Sequence, residues 1–215
     1  MADRPWEKEG WVTLADEEHE LHGVTPEMID WWWDNMEKGY PLWHPVDHHA
    51  FKWAEGKAPG EVGHIGAVQI ADQDGGGTGI YLDVSAFPFP IDYEHCMALE
   101  GFKKDKENQD YCVHMYSAAD YGTKHRFVVI LHGPKGEEIK ELRKAGKGPP
   151  LTPGARTHAR EEAERWSEFL PELYKLWSVV KDSRINPHPN LKIKKMGNGR
   201  YTYITSQNKP AARQA

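Results

Sequence analysis

Residues 157–180 read THAREEAERWSEFLPELYKLWSVV, and this stretch decides the fold. Trp166, Phe169, Leu170, Leu173, Trp177 and Val180 recur at three and four residues, the spacing of one buried helical face. Pro171 falls inside the pattern, which continues past it, so it is expected to bend the helix and not to end it. Upstream, HIGAVQIAD (64–72) and TGIYLDV (78–84) alternate apolar and polar residues around Asp74-Gly75-Gly76-Gly77, which reads as a β-hairpin. YCVHMYSA (111–118) and HRFVVILHG (125–133) are two further strands, parted by Asp120-Tyr121-Gly122. An earlier helix starts at Thr25-Pro26-Glu27-Met28, with a hydroxyl cap, Pro at the first helical position and an acid in the first turn. It carries Met28, Trp32 and Trp33 inward and stops near Gly39.

The order of helix, strands and one long final helix predicts an α+β domain whose curved antiparallel sheet wraps the C-terminal helix and encloses a cavity. Its expected bounds are 25–185, after a polar arm over 1–24 and before a polar extension over 186–215, in which only KIKKMGNGRYTYIT suggests a short hairpin. Residues 133–156, rich in Gly, Pro, Lys and Glu, read as a surface excursion.

Composition narrows the function. The chain has 215 residues, 39% hydrophobic and 28% charged, which is ordinary for a globular domain. Its 27 Lys and Arg against 33 Asp and Glu give a net charge of −6, with no basic stripe for a nucleic-acid backbone. No apolar run is long enough for a membrane helix and the opening MADRPWEKEG has no secretory core, so a soluble, cytoplasmic protein is expected. Two cysteines cannot form a disulfide framework. Nine Trp and twelve His together suggest an aromatic pocket with a polar centre.

His158 and Glu162 are the sharpest chemical feature. Four residues apart on a helix, they project from one face, at the start of the stripe that buries Trp166. A divalent cation would partner both. The plainer alternative is a half-exposed pair at a helix start, where Glu161 and Glu162 suit the positive end of the dipole, and spacing alone favours it. The loop YPLWHPVDHHAFKW (40–53) holds Tyr40, His44, Asp47, His48 and His49; Pro41 and Pro45 exclude a regular helix, so its histidines sit on a loop or a strand edge. Such a loop can supply a metal ligand with a carboxylate behind it, or be a polar surface loop flanked by Trp43 and Trp53. His114 lies on a strand, where an imidazole is more often held by a simple hydrogen bond. No nucleophile elbow and no phosphate loop is present.

The stretches MIDWWWDNMEKGYPLWHPVDH, YCVHMYSAADYGTKHRF and HAREEAERWSEFLPELY resemble the phloretin hydrolase and diacetylphloroglucinol hydrolase family, over about residues 25 to 177. The resemblance implies a helix-grip fold of the Bet v 1-like or START-like kind and a zinc-dependent hydrolase that cleaves the carbon–carbon bond between an acyl group and a phenolic ring. It implies metal ligands at His48, His158 and Glu162, a substrate-contacting tyrosine at Tyr40 and a proton-moving histidine at His114. Trp32, Trp43 and Trp166 are expected to wall the pocket, with Phe51 at a position where the family has a polar substrate contact. The family's fourth ligand, a glutamate, aligns with Gln73, flanked by Asp72 and Asp74. Strand alternation favours Asp72 pointing inward, whereas the alignment favours Gln73, which is the expected ligand. The implied partner is a small aromatic, phenolic polyketide-like substrate, and a homodimer stays open. A non-catalytic helix-grip carrier of such compounds, or another metal-dependent reaction on them, is the alternative.

Overall fold

The long apolar stripe folds as one helix, α5 (Pro153–Ser178), which runs through Pro171 without a break. In this computed structural model, residues 4–73, 77–101, 107–148, 153–182, 192–195 and 201–204 are described. The other helices are α1 (Pro5–Lys8), α2 (Pro26–Asp34), α3 (Tyr40–Trp43) and α4 (Pro134–Lys144). Seven strands form one sheet: β1 (Val12–His22), β2 (His48–Glu55), β3 (Val68–Gln73), β4 (Thr78–Leu82), β5 (His95–Gly101), β6 (Gln109–Ala119) and β7 (Gly122–His132). Their order is β1-β7-β6-β5-β4-β3-β2, and every pairing is antiparallel. With α5 packed along β1 and against α2 and α3, this is the expected helix-grip α+β fold.

Each face of the sheet has its own core, because β-strand side chains alternate. On the α5 side, Trp32, Trp33, Trp43 and Trp166 pack with Tyr40, Tyr81, Tyr116, Leu170 and Leu173, all 5% exposed or less. On the other side, Val113, Met115, Val128 and Ile130 are covered by Trp6, Trp11 and Phe89. His114 therefore points toward α5 while its neighbours Val113 and Met115 point away.

Three expectations are corrected. Residues 1–24 are not an arm laid over the domain, since 12–22 form β1, an edge strand paired with β7 along its length. Its acids obscured it: Asp16 is bound by Arg126 (2.8 Å) and Arg4 (2.7 Å), partners remote in sequence. The excursion at 133–156 contains α4, whose buried residues are only Gly136 and Ile139, too few to make a stripe. Pro41 does not exclude a helix, for it sits in the first turn of α3, where its missing N–H is no loss. The terminal hairpin is present as β8 (Lys192–Lys195) paired with β9 (Tyr201–Ile204). No helix among the described residues is long and apolar enough to cross a membrane.

Candidate metal centre

The loop after α3 is a tight turn. The His48 N–H bonds the His44 carbonyl (2.8 Å) and the Asp47 N–H bonds His44 Nδ1 (3.1 Å), so His48 enters β2 in a fixed direction, opposite Gln73. There its imidazole meets the first turns of α5. His48 Nε2 lies 3.2 Å from His158 Nε2 and 3.2 Å from Glu162 Oε1, and His158 Nε2 lies 3.1 Å from the same oxygen. The side chains grade from interior to surface, with His48 0%, Glu162 9% and His158 24% exposed.

The rings' far sides fix what this triangle is. His48 Nδ1 is 3.3 Å from the Tyr40 carbonyl and His158 Nδ1 is 3.0 Å from Asp47 Oδ2. Both partners only accept, so both Nδ1 atoms carry hydrogen and both Nε2 atoms present lone pairs, as metal-binding histidines do. Two nitrogen lone pairs and a carboxylate oxygen would then face one another within 3.2 Å, a repulsion that a metal ion or a proton on one nitrogen would relieve. A tetrahedral zinc with bonds of about 2.0–2.1 Å spaces its ligands about 3.3 Å apart, and two His with one Glu is a donor set of hydrolytic zinc. These residues fit the metal. Without it a proton serves. Burial disfavours charge on all three, yet the Glu162 and Asp47 carboxylates raise His158 to about 9, and the hydrogen bond from protonated His158 holds Glu162 at about 2 against that burial. Burial keeps His48 below the usual imidazole range.

His44, Asp47 and His158 also cluster. His44 Nδ1 is occupied by the Asp47 N–H, its Nε2 lies 2.7 Å from Glu161 Oε2, and its ring stacks on His158 at 4.2 Å. It braces His158. His49, from the same loop, is exposed.

Tyr40 stacks face to face on His48, at 4.0 Å and 2°, and its hydroxyl donates to Gln73 Oε1. Gln69 and Ala71 are buried on the same face as Gln73, whereas Ile70 and Asp72 are exposed, so Asp72 does not point inward as alternation suggested. Counting Ile70 as a core residue misled that reading: Val68 is buried, but Ile70 is 37% exposed. Asp74 lies outside the described residues. Trp43 touches both His48 (5.4 Å) and His114 (6.0 Å) and stacks on Trp166 at 5.1 Å. Trp32 packs behind it, edge-on to Trp43 and Phe169. Phe51 is half-buried against Tyr40 (5.4 Å).

His114 does not join the triangle. Its Nδ1 is 3.0 Å from His125 Nε2 and its Nε2 is 3.7 Å from Cys112 Sγ, with both imidazoles fully enclosed. Burial pulls His114 to about 4 and His125 well below its usual value. Sequence reasoning passed over His125, although the two-residue turn at Asp120-Tyr121 sets Tyr116 opposite it and so places it diagonal to His114.

A helix-grip domain with a buried His-His-Glu cluster at one end of its long helix is thus defined. No family model and no curated protein matches the chain. Among solved structures it is similar to a norcoclaurine synthase point mutant from Thalictrum, at 15% identity, covering 76% of this chain and 97% of that one, with a TM-score of 0.46. It is also similar to Ara h 8.0201, at 14% identity over 76% of this chain and 99% of that one (TM-score 0.44). A third is a major latex-like protein from Panax ginseng, at 9% identity over 58% and 80% (TM-score 0.41).

Proposed function

We propose that this chain is a zinc-dependent hydrolase that cleaves the carbon–carbon bond joining an acyl group to a phenolic, phloroglucinol-type ring and releases a carboxylic acid. The observation that carries this reading is the triangle of His48 Nε2, His158 Nε2 and Glu162 Oε1, its lone pairs turned inward by hydrogen bonds behind both rings. The sequence resemblance around these same residues supplies the reaction class. Zinc held there supplies a polarised carbonyl and a water ionisable near neutral pH.

The chain's own groups divide the remaining work. Tyr40 is kept a neutral phenol, its pKa raised by burial and by the Glu162 charge. With its hydrogen committed to Gln73, its oxygen is left to accept from a ring hydroxyl of the substrate. Trp43 and Trp166, with Trp32 behind, provide flat apolar walls for an aromatic ring. Glu162 stays ionised and His48 neutral, the protonation states a cation requires.

A second reading, a carrier of aromatic polyketides without chemistry, is favoured by Gln73. A neutral amide stands where the resemblance expects a carboxylate, and its oxygen is already engaged by Tyr40. Elemental analysis of protein purified without chelator, combined with an acylphloroglucinol turnover assay, separates the readings. One zinc per chain with acid release is expected. Zinc without turnover would point to another metal-dependent reaction, and substoichiometric metal to the carrier.

A further inference from the structure

His114 and His125 share one hydrogen between His114 Nδ1 and His125 Nε2, 3.0 Å apart. They come together because β6 and β7 pair with Tyr116 opposite His125 and His114 opposite Phe127, a diagonal on the α5 face. The rings are 3% and 1% exposed, and Trp33, Trp43, Phe127 and Trp166 crowd around them. Burial keeps both imidazoles neutral, so each ring carries a single hydrogen.

Two arrangements satisfy that count. In one, His114 Nδ1–H donates to His125, which places the hydrogen of His125 on its Nδ1. That atom is buried and has no hydrogen-bond partner among the described residues, so a donor would be enclosed without an acceptor. In the other, His125 Nε2–H donates to His114 Nδ1, the unpartnered Nδ1 of His125 is a bare lone pair, and the hydrogen of His114 moves to Nε2, facing Cys112 Sγ at 3.7 Å. Enclosed N–H groups without acceptors are rarer in proteins than under-satisfied acceptors, and the second arrangement avoids one.

We infer that His125 is a positioning residue that locks His114 as a neutral Nε2–H donor, and that His114 thereby holds an acceptor oxygen of the substrate by a hydrogen bond and does not carry protons. The lock stands on the geometry alone, whereas the role toward substrate rests on the hydrolase reading above. Chemically the lock closes the route to base catalysis, since the Nδ1 lone pair of His114 is occupied and its Nε2 is already protonated. A neutral imidazole donor suits a carbonyl or phenolic oxygen on which negative charge develops. Cys112, beside that Nε2, is held as a thiol by burial and by the nearby Glu162 charge, so it competes with a substrate oxygen only as a weak sulfur acceptor.

Long-range proton–nitrogen correlation spectra of the full chain labelled with 15N-histidine read the tautomer directly. The Nε2–H form is expected for His114 at neutral pH. His125→Gln, which keeps an N–H donor at that place, should retain it, and His125→Phe should release the ring to populate Nδ1–H. A wild-type Nδ1–H form, or a His125→Phe spectrum identical to wild type, would overturn the lock; the wild-type spectrum alone decides if the variants do not fold. Addition of an acylphloroglucinol should shift the His114 Nε2–H resonance, and an unmoved resonance during measurable turnover would overturn the substrate-oxygen role. A locked tautomer in a protein with no turnover would leave His125's role intact and count against the hydrolase reading instead.

Discussion

The His158 imidazole holds its proton near neutral pH, and a metal bound at the triangle would have to expel it. Because Glu162 and Asp47, working against burial, raise His158 to about 9, apparent zinc affinity should climb about tenfold per pH unit between pH 6 and 8. Calorimetric titration at three pH values measures this, and a flat profile would remove His158 from the ligand set. The sign reverses for His114, whose pKa burial lowers to about 4. The unfolded chain then binds more protons than the folded one below pH 6.5, so this stabilisation is complete above pH 6.5 and lost as pH falls through 4, on the order of 3 kcal/mol. Melting curves of metal-free protein from pH 7 to 4 should show the decline, and His114→Gln should lessen it, with His125 still contributing in the same direction. Gln73 gives a third expectation: Gln73→Glu should hold metal more tightly, while Asp72→Ala, on an exposed side chain, leaves retention unchanged. If Asp72→Ala strips the metal and Gln73→Ala does not, the alignment at Gln73 is mistaken. Of these residues, His158 and Glu162 were legible as a helical spacing and His48 by resemblance. Their convergence was implied only through the resemblance, because a separation of 110 residues leaves no trace in local pattern.

At the scale of elements, the contact between α3 and α5 sets the distance from Tyr40 and His48 to the helix. Gly39, just before α3, has a negative φ, outside the left-handed region that favours glycine, but a Cβ there would meet Leu173 Cδ2 at 2.7 Å and Trp32 Cζ3 at 3.5 Å. Gly39→Ala should therefore cost about 1–3 kcal/mol through overpacking and weaken zinc binding by moving the turn that carries His48. Denaturant melts with and without zinc check both effects, and an unaltered midpoint would show that Leu173 can yield. Elements with one clean apolar face, α5, β6, β7 and the β3–β4 hairpin, were readable from periodicity alone. β1 was not, for its inward Glu17 and its Asp16 are matched by Arg160, Arg126 and Arg4. Paired charge looks like surface in a sequence and like interior in a fold.

For the whole molecule, the telling feature is that β1 and β2, successive in the chain, lie at opposite edges of the sheet, with α2 and α3 on the crossover between them. His48 begins the last strand in sheet order, and His158 and Glu162 come from the final long helix, so the donor triangle exists only after both ends of the fold have met. Contacts so distant in sequence are made late and slowly. Zinc should therefore leave the rate of tryptophan burial during refolding unchanged, and slow unfolding in proportion to its occupancy, because its interactions are absent from the transition state. Stopped-flow fluorescence with zinc present or chelated distinguishes the two limbs; faster refolding with zinc would mean that the ion seeds the chain. On this topology a bound zinc would be a latch, setting how long the closed protein lasts and not how soon it forms.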